Sequence, residues 1–398
     1  MLTGKKIVLG VSGGIAAYKM ANVASMLSKL HADIHVVMTE NATHFITPET
    51  FEVLTGNHCY IDTFDRCMEL HVPHIALGTQ ADCILIAPAS ADVVGKIATG
   101  IADDRLTTCV RPATCPVLLA PSMNVHMYEN PIVQDNMKKL ASYGYEIIEA
   151  DEGYLACRDI GKGKLPPEDV LVEYILRACA KEKDLAGNKV LVTAGATQEA
   201  IDPVRYITNH STGKMGYAMA RMAMLRGADV TLVTGETSLK EPLFMDVVHV
   251  KSAKDMYDAV ISRSADMDII VKAAAVADYR PTSVASEKIK KQDGQMAIEL
   301  ERTDDILAYL GAHKHDGQFI CGFSMETENM LENSKAKLAK KQIDMIAANN
   351  LKVEGAGFGV DTNVMTIITK ETATELPLMS KEDVADRILD AIVKHCDR

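Results

Sequence analysis

The sequence predicts an α/β protein built from two doubly wound domains in series. Two stretches begin alike: an apolar strand, Ile7–Val11 or Val190–Thr193, runs into a glycine-containing turn and on towards a helix. Further apolar strands alternate with helical stretches in both halves, which is typical of parallel sheets covered by helices. A length of 398 residues also favours two domains. The charged, glycine-containing segment Lys181–Asn188 is the best boundary, so we expect domains 1–183 and 184–398.

Composition excludes several classes of function. The net charge is −12, from 42 basic and 54 acidic residues, and the only basic tract is Lys288–Lys291. A surface for a nucleic-acid backbone is therefore not expected. No segment approaches about 18 consecutive apolar residues, so no membrane partner is expected either. The nine cysteines show no C-x-x-C or zinc spacing. Together with a start that runs straight into a strand, they indicate reduced thiols in the cytoplasm.

Polar residues follow each predicted strand of the first half. The strands are Ile7–Val11, Ile34–Thr39, Cys83–Ala87 and Val117–Ala120. The residues just past their ends are Ser12, Gly13, Gly14, Thr39, Ser90 and Ser122-Met123-Asn124. Because the carboxyl ends of parallel strands share one edge, these residues should converge on one site. The Ser-Gly-Gly turn fits a tight connection and a phosphate held at a helix N-terminus equally well.

Two further segments of this half carry reactive side chains. In HVPHIALG, His71 fits a surface loop, whereas His74 lies at a helix start, where an imidazole can act as a base. GYLACRDIGKGK, Gly153–Lys164, fits either a flexible connection or a segment that closes over a ligand. Its Cys157 lies among Arg158, Lys162 and Lys164, a setting in which a thiol can act as an acid or a nucleophile.

In this order, SGGIAAYK, HIAL, APASAD, PSMNVHMYENP and GYLACRDIGKGK resemble the flavin-dependent cysteine decarboxylases. The resemblance implies a flavodoxin-like domain that binds FMN, with the residues past the strand ends (Ser12, Gly13, Gly14, Thr39, Ser90 and Met123) as candidate cofactor ligands. It implies that His74 is the active-site base, that Asn124 binds the substrate carboxylate and that Cys157 is a proton donor on a mobile flap. The chain departs from the family pattern at Asp92, where Asn is usual, and at Tyr128, where Trp is usual.

The second half is Rossmann-like in pattern. Its predicted elements are a helix through Tyr217–Leu225, strands at Val230–Thr234, Val247–Val250, Ile269–Val271, Ile320–Gly322 and Val364–Thr369, and a terminal helix at Lys381–His395. Ser211-Thr212-Gly213-Lys214 is followed by Met215, so it lacks the Ser or Thr of a P-loop. TAGAT after the first strand lacks both GxGxxG spacing and a following helix, so dinucleotide binding is disfavoured.

Three other stretches follow predicted strands or lie on a helix. AAAVADYRP, from Ala273 to Pro281, is followed by EKIKK, in which Lys288 and Lys290 share one face of an extended segment. A solvated hairpin is the plain interpretation, and it is retained for Lys290 and Lys291. GFSMET follows the strand Ile320–Gly322. Lys337 and Lys341 are spaced i,i+4, which is usually just a solvated helix face.

Together these stretches and NHSTGKMG resemble the phosphopantothenate–cysteine ligase domain, and the whole chain resembles the bacterial bifunctional proteins that fuse both activities. The resemblance implies activation of phosphopantothenate by CTP, with Mg²⁺ arriving on the nucleotide and no metal site in the protein. Lys288 then serves cytidylyl transfer and Asn209 holds the acyl-cytidylate. The implied CTP-binding residues are Ala273, Ala274, Ala275, Asp278, Lys288, Asp304, Asp305, Ile306, Leu307, Phe323, Lys337 and Lys341. Residues 304–307 read Asp-Asp-Ile-Leu where the family usually has Pro-Asp-Ile-Val. The expected partners are small-molecule substrates and copies of the same chain, in a homo-oligomer.

Two alternatives share the flavin site. In one, the chain decarboxylates a peptide's C-terminal cysteine or transfers a prenyl group; in the other, it is a non-catalytic flavin-binding regulator disabled by Asp92. The Cys157 segment and the ligase-like half count against the first.

Overall fold

The computed structural model divides into two compact units, Met1–Lys181 and Glu182–Arg398. It describes residues 1–63, 73–156, 158–290, 296–326, 330–350, 357 and 359–396. The sequence-based boundary between 183 and 184 stays a prediction. Each unit is an α/β domain with its own sheet and core.

The first unit is built on a six-stranded parallel sheet in the order β3-β2-β1-β4-β5-β6. The strands are β1 Lys6–Val11, β2 Asp33–Met38, β3 Cys59–Tyr60, β4 Cys83–Ala89, β5 Val117–Pro121 and β6 Glu146–Ile147. Without the two-residue edge strand β3, the order is that of the flavodoxin-like doubly wound fold, and the predicted fold class is confirmed. The strand order reverses between β1 and β4, so ligands are expected beyond the carboxyl ends of these two strands.

Helices cover both faces of this sheet. They are α1 Met20–Lys29, α2 Pro48–Thr55, α3 Pro73–Gln80, α4 Ala91–Thr99, α5 Arg105–Val110, α6 Val125–Tyr128, α7 Pro131–Ser142 and α8 Glu168–Cys179, with short 3₁₀ helices at Ile15–Lys19 and Glu40–His44. α1 buries Met20, Val23 and Leu27, which share one face of the helix. β4 is buried along its whole length, as expected of a central parallel strand.

The segment predicted as a glycine-punctuated loop is instead an antiparallel hairpin. Its strands are β7 Asp151–Tyr154 and β8 Ile160–Lys164. The sequence of β8, IGKGK, lacks the alternation of apolar and polar residues that is typical of a strand. Its glycines, rather than apolar side chains, pack against α6 and the loop before it. The ideal Cβ position of Gly161 lies 2.6 Å from Val125 Cγ2, so only glycine fits there.

The second unit contains an eight-stranded sheet in the order β13-β12-β9-β14-β17-β18-β20-β21. The strands are β9 Lys189–Ala194, β12 Asp229–Thr234, β13 Asp246–His249, β14 Ile269–Lys272, β17 Phe319–Glu326, β18 Met345–Asn350, β20 Met365–Thr369 and β21 Ala373–Glu375. The first six of this order are parallel and follow the Rossmann pattern, and the last two are added antiparallel. GFSMET was predicted to follow its strand, and this is wrong for its first five residues, Gly322–Glu326, which lie inside β17; Thr327 lies outside the described residues.

Smaller elements complete this unit. Three two-stranded pairs join β10 Gln198–Ala200 to β11 Tyr206–Thr208, β15 Tyr279–Pro281 to β16 Leu300–Arg302, and β19 Thr362–Asn363 to β22 Met379–Ser380. The helices are α9 Lys214–Leu225, α10 Ala253–Ser264, α11 Ile306–Ala312, α12 Met330–Lys341 and α13 Lys381–Cys396. β9 is followed by the β10–β11 hairpin and not by a helix, which agrees with the sequence of the TAGAT stretch. In the eight-stranded sheet, the strand order reverses between β9 and β14.

Candidate active sites

A cavity of about 450 Å³ lies at the carboxyl edge of the first sheet. It is bounded by the turn after β1, the start of α4, the loop after β5 and the β7–β8 hairpin. The predicted residues that line it are Gly13, Gly14, Ser90, Met123 and Asn124. The structure therefore brings together side chains from three separate strand ends.

Ser12 ties the two strands at the reversal point together. Its buried hydroxyl donates to the Pro88 carbonyl at 2.7 Å and accepts from the Ser90 amide at 2.9 Å. The amide N–H groups of Gly13 and Gly14 donate to no acceptor in the described part of the chain. Backbone amides at a strand–helix turn are therefore left for an anion, while the Ser12 hydroxyl holds the turn in place.

Thr39 lies deeper than the cavity lining. It is 8% exposed, and its hydroxyl has no hydrogen-bond partner among the described residues. Buried hydroxyl groups are normally paired, so this one fits a polar group of a ligand. Free amides and a free hydroxyl are the donors that a phosphorylated, polyhydroxylated cofactor such as FMN requires. The residues present therefore fit that group.

Asn124 has a fixed amide. It caps α6, because its Oδ1 accepts from the His126 amide at 2.9 Å, and this turns its Nδ2 outward. Nδ2 donates to Asp159 Oδ2 of the hairpin at 3.0 Å. An amide that already donates to a carboxylate is suited to bind another. Asp159 lies 35 residues away, and no sequence signal links the pair.

The two titratable candidates of this half, His74 and Cys157, are only partly covered by the structure. The backbone of His74 lies in the first turn of α3, as predicted, but its side chain lies outside the described residues. Cys157 also lies outside them. Its neighbours Leu155 and Ala156, at the hairpin tip, line the cavity, as does Lys164.

Asp92 points away from this cavity. Its side chain is 66% exposed and pairs with Lys96 at 3.3 Å, one turn along α4. Lys96 also pairs with Asp103 and Asp104. Asp92 therefore belongs to a surface charge cluster, which removes the structural reason to expect a disabled flavin site.

A second cavity, of about 400 Å³, lies at the carboxyl edge of the second sheet. The predicted residues that line it are Asn209, Ala273, Ala274, Ala275, Asp278, Phe323 and Lys337. Hydrogen bonds join the alanine run after β14 to the end of the neighbouring strand β9. The Ala275 amide donates to the Gly195 carbonyl at 2.9 Å, and the Ala274 amide donates to Thr193 Oγ1 at 3.1 Å. Asn209 Nδ2 donates to the Ala275 carbonyl at 3.1 Å, which fixes this side chain at the rim.

The start of α9 also faces this cavity. Gly213 caps the helix with φ +81°, a left-handed conformation that favours glycine, and supplies no side-chain cap. Lys214 lines the cavity, and its amine donates to Asp361 Oδ1 at 2.7 Å and to the Gly359 carbonyl at 3.1 Å. This lysine does not hold the geometry of a P-loop lysine, in keeping with the sequence argument.

The other predicted nucleotide residues lie outside the lining. Lys288 is exposed. Asp304 is exposed, and Ile306 and Leu307 are buried in the hydrophobic core. Asp305 caps α11 and forms an ion pair with Lys341, which joins α11 to α12.

Known proteins match both halves. Two family models cover the chain: one described as Flavoprotein over residues 1–180, and one described as DNA/pantothenate metabolism flavoprotein C-terminal domain over residues 185–396. The coenzyme A biosynthesis bifunctional protein CoaBC of Bacillus subtilis is 47% identical over 396 residues, 98% of this chain and 97% of that protein. The chain belongs to the family of bifunctional coenzyme A biosynthesis proteins. It is a bifunctional enzyme with a flavoprotein decarboxylase half and a ligase half.

One further relative agrees with this assignment. The CoaBC protein of Borreliella burgdorferi is 41% identical over 387 residues, 97% of this chain and 98% of that one. Among solved structures, the C-terminal domain of a CoaBC protein is 43% identical, covers 54% of this chain and 99% of its own, and has a TM-score of 0.47. A PPC decarboxylase mutant complexed with pantothenoylaminoethenethiol is 27% identical, covers 43% of this chain and 96% of its own, and has a TM-score of 0.39.

In the described ranges of the enzyme, no helix is long and apolar enough to cross a membrane. The same ranges contain no group of three or more His, Cys, Asp or Glu side chains placed to hold a metal ion. Five of the seven described cysteines are buried. Burial raises the pKa of the Cys59, Cys109 and Cys321 thiols to about 12, so these three are inert core residues.

Proposed function

We propose that the ligase half condenses 4'-phosphopantothenate with L-cysteine at the expense of CTP, and that the decarboxylase half converts the product into 4'-phosphopantetheine. The observation that carries this is the match to a bifunctional protein over 98% of the chain. The two cavities support it, because each half has one at the point where its strand order reverses.

The ligase reaction runs in two displacements. The carboxylate of phosphopantothenate attacks the α-phosphorus of CTP, giving an acyl-cytidylate and pyrophosphate. Lys288 offsets the negative charge that builds up on the phosphoryl oxygens, and Mg²⁺ arrives with the triphosphate. The cysteine amine then attacks the acyl carbon and CMP leaves. Asn209, held on the Ala275 carbonyl, keeps the acyl-cytidylate in place for this attack.

A buried carboxylate positions Lys288 for the first displacement. Asp202 Oδ2 accepts from the amide of the next residue, Ile289, at 3.1 Å, and Arg205 Nη2 donates to the Ile289 carbonyl at 3.1 Å. Asp202 and Arg205 are paired with each other. The Arg205 guanidinium holds the pKa of Asp202 well below its usual range. The backbone beside Lys288 is thus anchored to the β10–β11 hairpin, which also carries the chain to Asn209.

The decarboxylase reaction depends on the first cavity. The free amides of Gly13 and Gly14 and the Thr39 hydroxyl are the groups that would hold FMN. Bound FMN would supply a two-electron acceptor that later returns the electrons, so that no nicotinamide is needed. Asn124 holds the substrate carboxylate through its outward N–H groups. His74 serves as the base, and Cys157 returns a proton to the enethiolate that remains after carbon dioxide is lost.

The cytoplasmic location, the homo-oligomer and the domain boundary remain predictions alongside this proposal. The direct test incubates the protein with phosphopantothenate, carboxyl-labelled cysteine and CTP. The proposed pathway gives pyrophosphate first and then labelled carbon dioxide, both dependent on CTP. Carbon dioxide release from a peptide's C-terminal cysteine without CTP would favour the alternative task for the flavin site. Absence of both products would favour a regulator.

A further inference from the structure

The cavity of the ligase half is lined by a lysine that the sequence did not single out. Lys272 is the last residue of β14, where its register partners are Thr193 of β9 and Gly322 of β17. It therefore lies at the centre of the sheet's carboxyl edge, immediately before the alanine run. Its side chain is partly buried and faces the same cavity as Lys337 of α12.

The surroundings of Lys272 are unfavourable for an unpaired cation. Burial, helped by the nearby amines of Lys337 and Lys341 and opposed by Asp278, lowers the pKa of its amine to about 8. The register neighbours Thr193 and Gly322 carry no charge. At pH 7 roughly nine-tenths of such an amine is still protonated. The Lys272 ammonium is thus repelled by the neighbouring lysine amines, and an anion bound in the cavity would offset this repulsion.

The neighbouring lysines are not equivalent. Lys341 is engaged by Asp305, which caps α11, so its charge already has a partner. Four lysines line the cavity, and two of them bind protein groups: Lys214 pairs with Asp361, and Lys381 Nζ donates to the Gly357 and Val360 carbonyls. The other two are Lys272 and Lys337, whereas the resemblance implied Lys337 and Lys341. The cavity also contains the buried Oδ1 of Asn349, which accepts no hydrogen bond from any described group. A buried, unpaired acceptor in the lining is suited to a hydrogen-bond donor of a polar ligand.

We propose that Lys272, together with Lys337, binds a phosphate group of the nucleotide and acts as a positioning residue for cytidylyl transfer. This rests on the proposed function of the ligase half. A lysine ammonium is a compact point charge that suits phosphate oxygens. A triphosphate carries adjacent phosphate groups and can span several amines. Phosphopantothenate also carries one phosphate, so its binding is measured separately in the test.

The arrangement has a consequence for pH dependence. A bound phosphate favours the protonated amine, so it raises the pKa of Lys272 above its value in the free protein. Nucleotide affinity should be highest below about pH 8, where the amine is protonated, and should fall as the pH rises above that value. The other charged groups that act on the Lys272 amine are Lys337, Lys341 and Asp278, and Lys214 and Lys381 line the same cavity. Their contributions are common to the wild type and to a variant without the amine, so the difference between the two pH profiles isolates Lys272.

The test measures equilibrium binding of Mg-CTP, CMP and phosphopantothenate to the full-length protein from pH 7 to pH 9. Lys272→Met should weaken CTP binding about tenfold at pH 7 and remove the fall in affinity above pH 8. Lys272→Arg should restore binding at pH 7 with no fall at pH 9. Lys340→Met, an exposed position on the same helix as Lys337, is the matched control and should change nothing.

Other outcomes overturn the proposal. A Lys272→Met protein that binds CTP like the wild type, with the same pH profile, refutes it, as does weakened binding of phosphopantothenate alone. If Lys272→Met does not fold, Lys272→Arg decides. An Arg variant whose CTP affinity falls above pH 8 as the wild type's does would contradict the assignment. A wild-type protein that binds no nucleoside triphosphate refutes the ligase function itself, and this assignment with it.

Discussion

Gly163 fastens the hairpin to the loop that carries Asn124. Its carbonyl accepts from the Met123 amide at 3.0 Å and from Ser122 Oγ at 3.2 Å. Its φ is +140°, and an added Cβ would lie 2.3 Å from the Met123 carbonyl oxygen. Gly163→Ala must therefore move β8 away by about 1 Å, which lengthens both hydrogen bonds beyond their normal range.

The cost follows from these contacts. Two hydrogen bonds are worth about 0.5–1.5 kcal/mol each, and the backbone strain adds about 1 kcal/mol. The variant should thus destabilise the docked hairpin by about 2–4 kcal/mol. A 1 Å displacement beside a reacting group can lower turnover about 100-fold. Decarboxylation of supplied phosphopantothenoylcysteine should fall by that order, while pyrophosphate release by the ligase half of the same chain stays unchanged.

Gly144→Ala is the matched control. Gly144 lies in the same unit with φ +89°, but an added Cβ would meet no atom within 4 Å. It carries the backbone strain without the displacement, so its decarboxylase rate should remain near that of the wild type. Decarboxylase rates within twofold of each other for the two variants would refute the reasoning.

Four other outcomes are expected. Cys157→Ser should stop the decarboxylase cycle while flavin stays bound; unchanged phosphopantetheine output would remove the proton-donor role. Lys288→Gln should abolish pyrophosphate release and spare decarboxylation of supplied substrate, and parallel loss of both activities would contradict the modular assignment. Because the pKa of Asp202 is depressed in the folded protein, its carboxylate stabilises the ligase half above about pH 4, and this stabilisation is lost as the pH falls through the folded pKa. Asp202→Asn should therefore reduce the decrease in melting temperature at acid pH; an unchanged decrease would argue against this anchor. Arg226 is buried and pairs with Asp184, Asp386 and Asp390, so Arg226→Met should cost the ligase half about 3–5 kcal/mol in urea unfolding; a loss below 1 kcal/mol would contradict it.

Much of the fold could be predicted because it is written in local hydrophobic runs. Buried parallel strands such as Cys83–Ala89 are continuous apolar stretches, and the residues after them must meet at one edge. The elements that were missed lack such runs. β18, MIAANN, contributes Asn349 to the lining of the cavity, and β8 packs through glycines. Their strand character comes from tertiary contacts, which override local pattern.

The candidate site divides in the same way. Asn124 and Asn209, which were named from motifs, line the two cavities, and each belongs to a short stretch beside a strand end or helix start. Asp159, Asp202 and Lys272 were not found. Asp159 and Asp202 act on residues 35 and 87 positions away, and Lys272 looks like an ordinary strand end. Long-range partners of this kind become visible only in three dimensions.

The central claim is that the two halves of the chain catalyse independent reactions, and that phosphopantothenoylcysteine, the product of the ligase half, is the substrate of the decarboxylase half. The most direct test mixes two full-length variants, Lys288→Gln and Cys157→Ser, with phosphopantothenate, cysteine and CTP. The first alone should give no product and the second should stop at the decarboxylase stage, whereas the mixture should form phosphopantetheine after a lag. A mixture that forms none, although each variant keeps its remaining activity, would contradict the account.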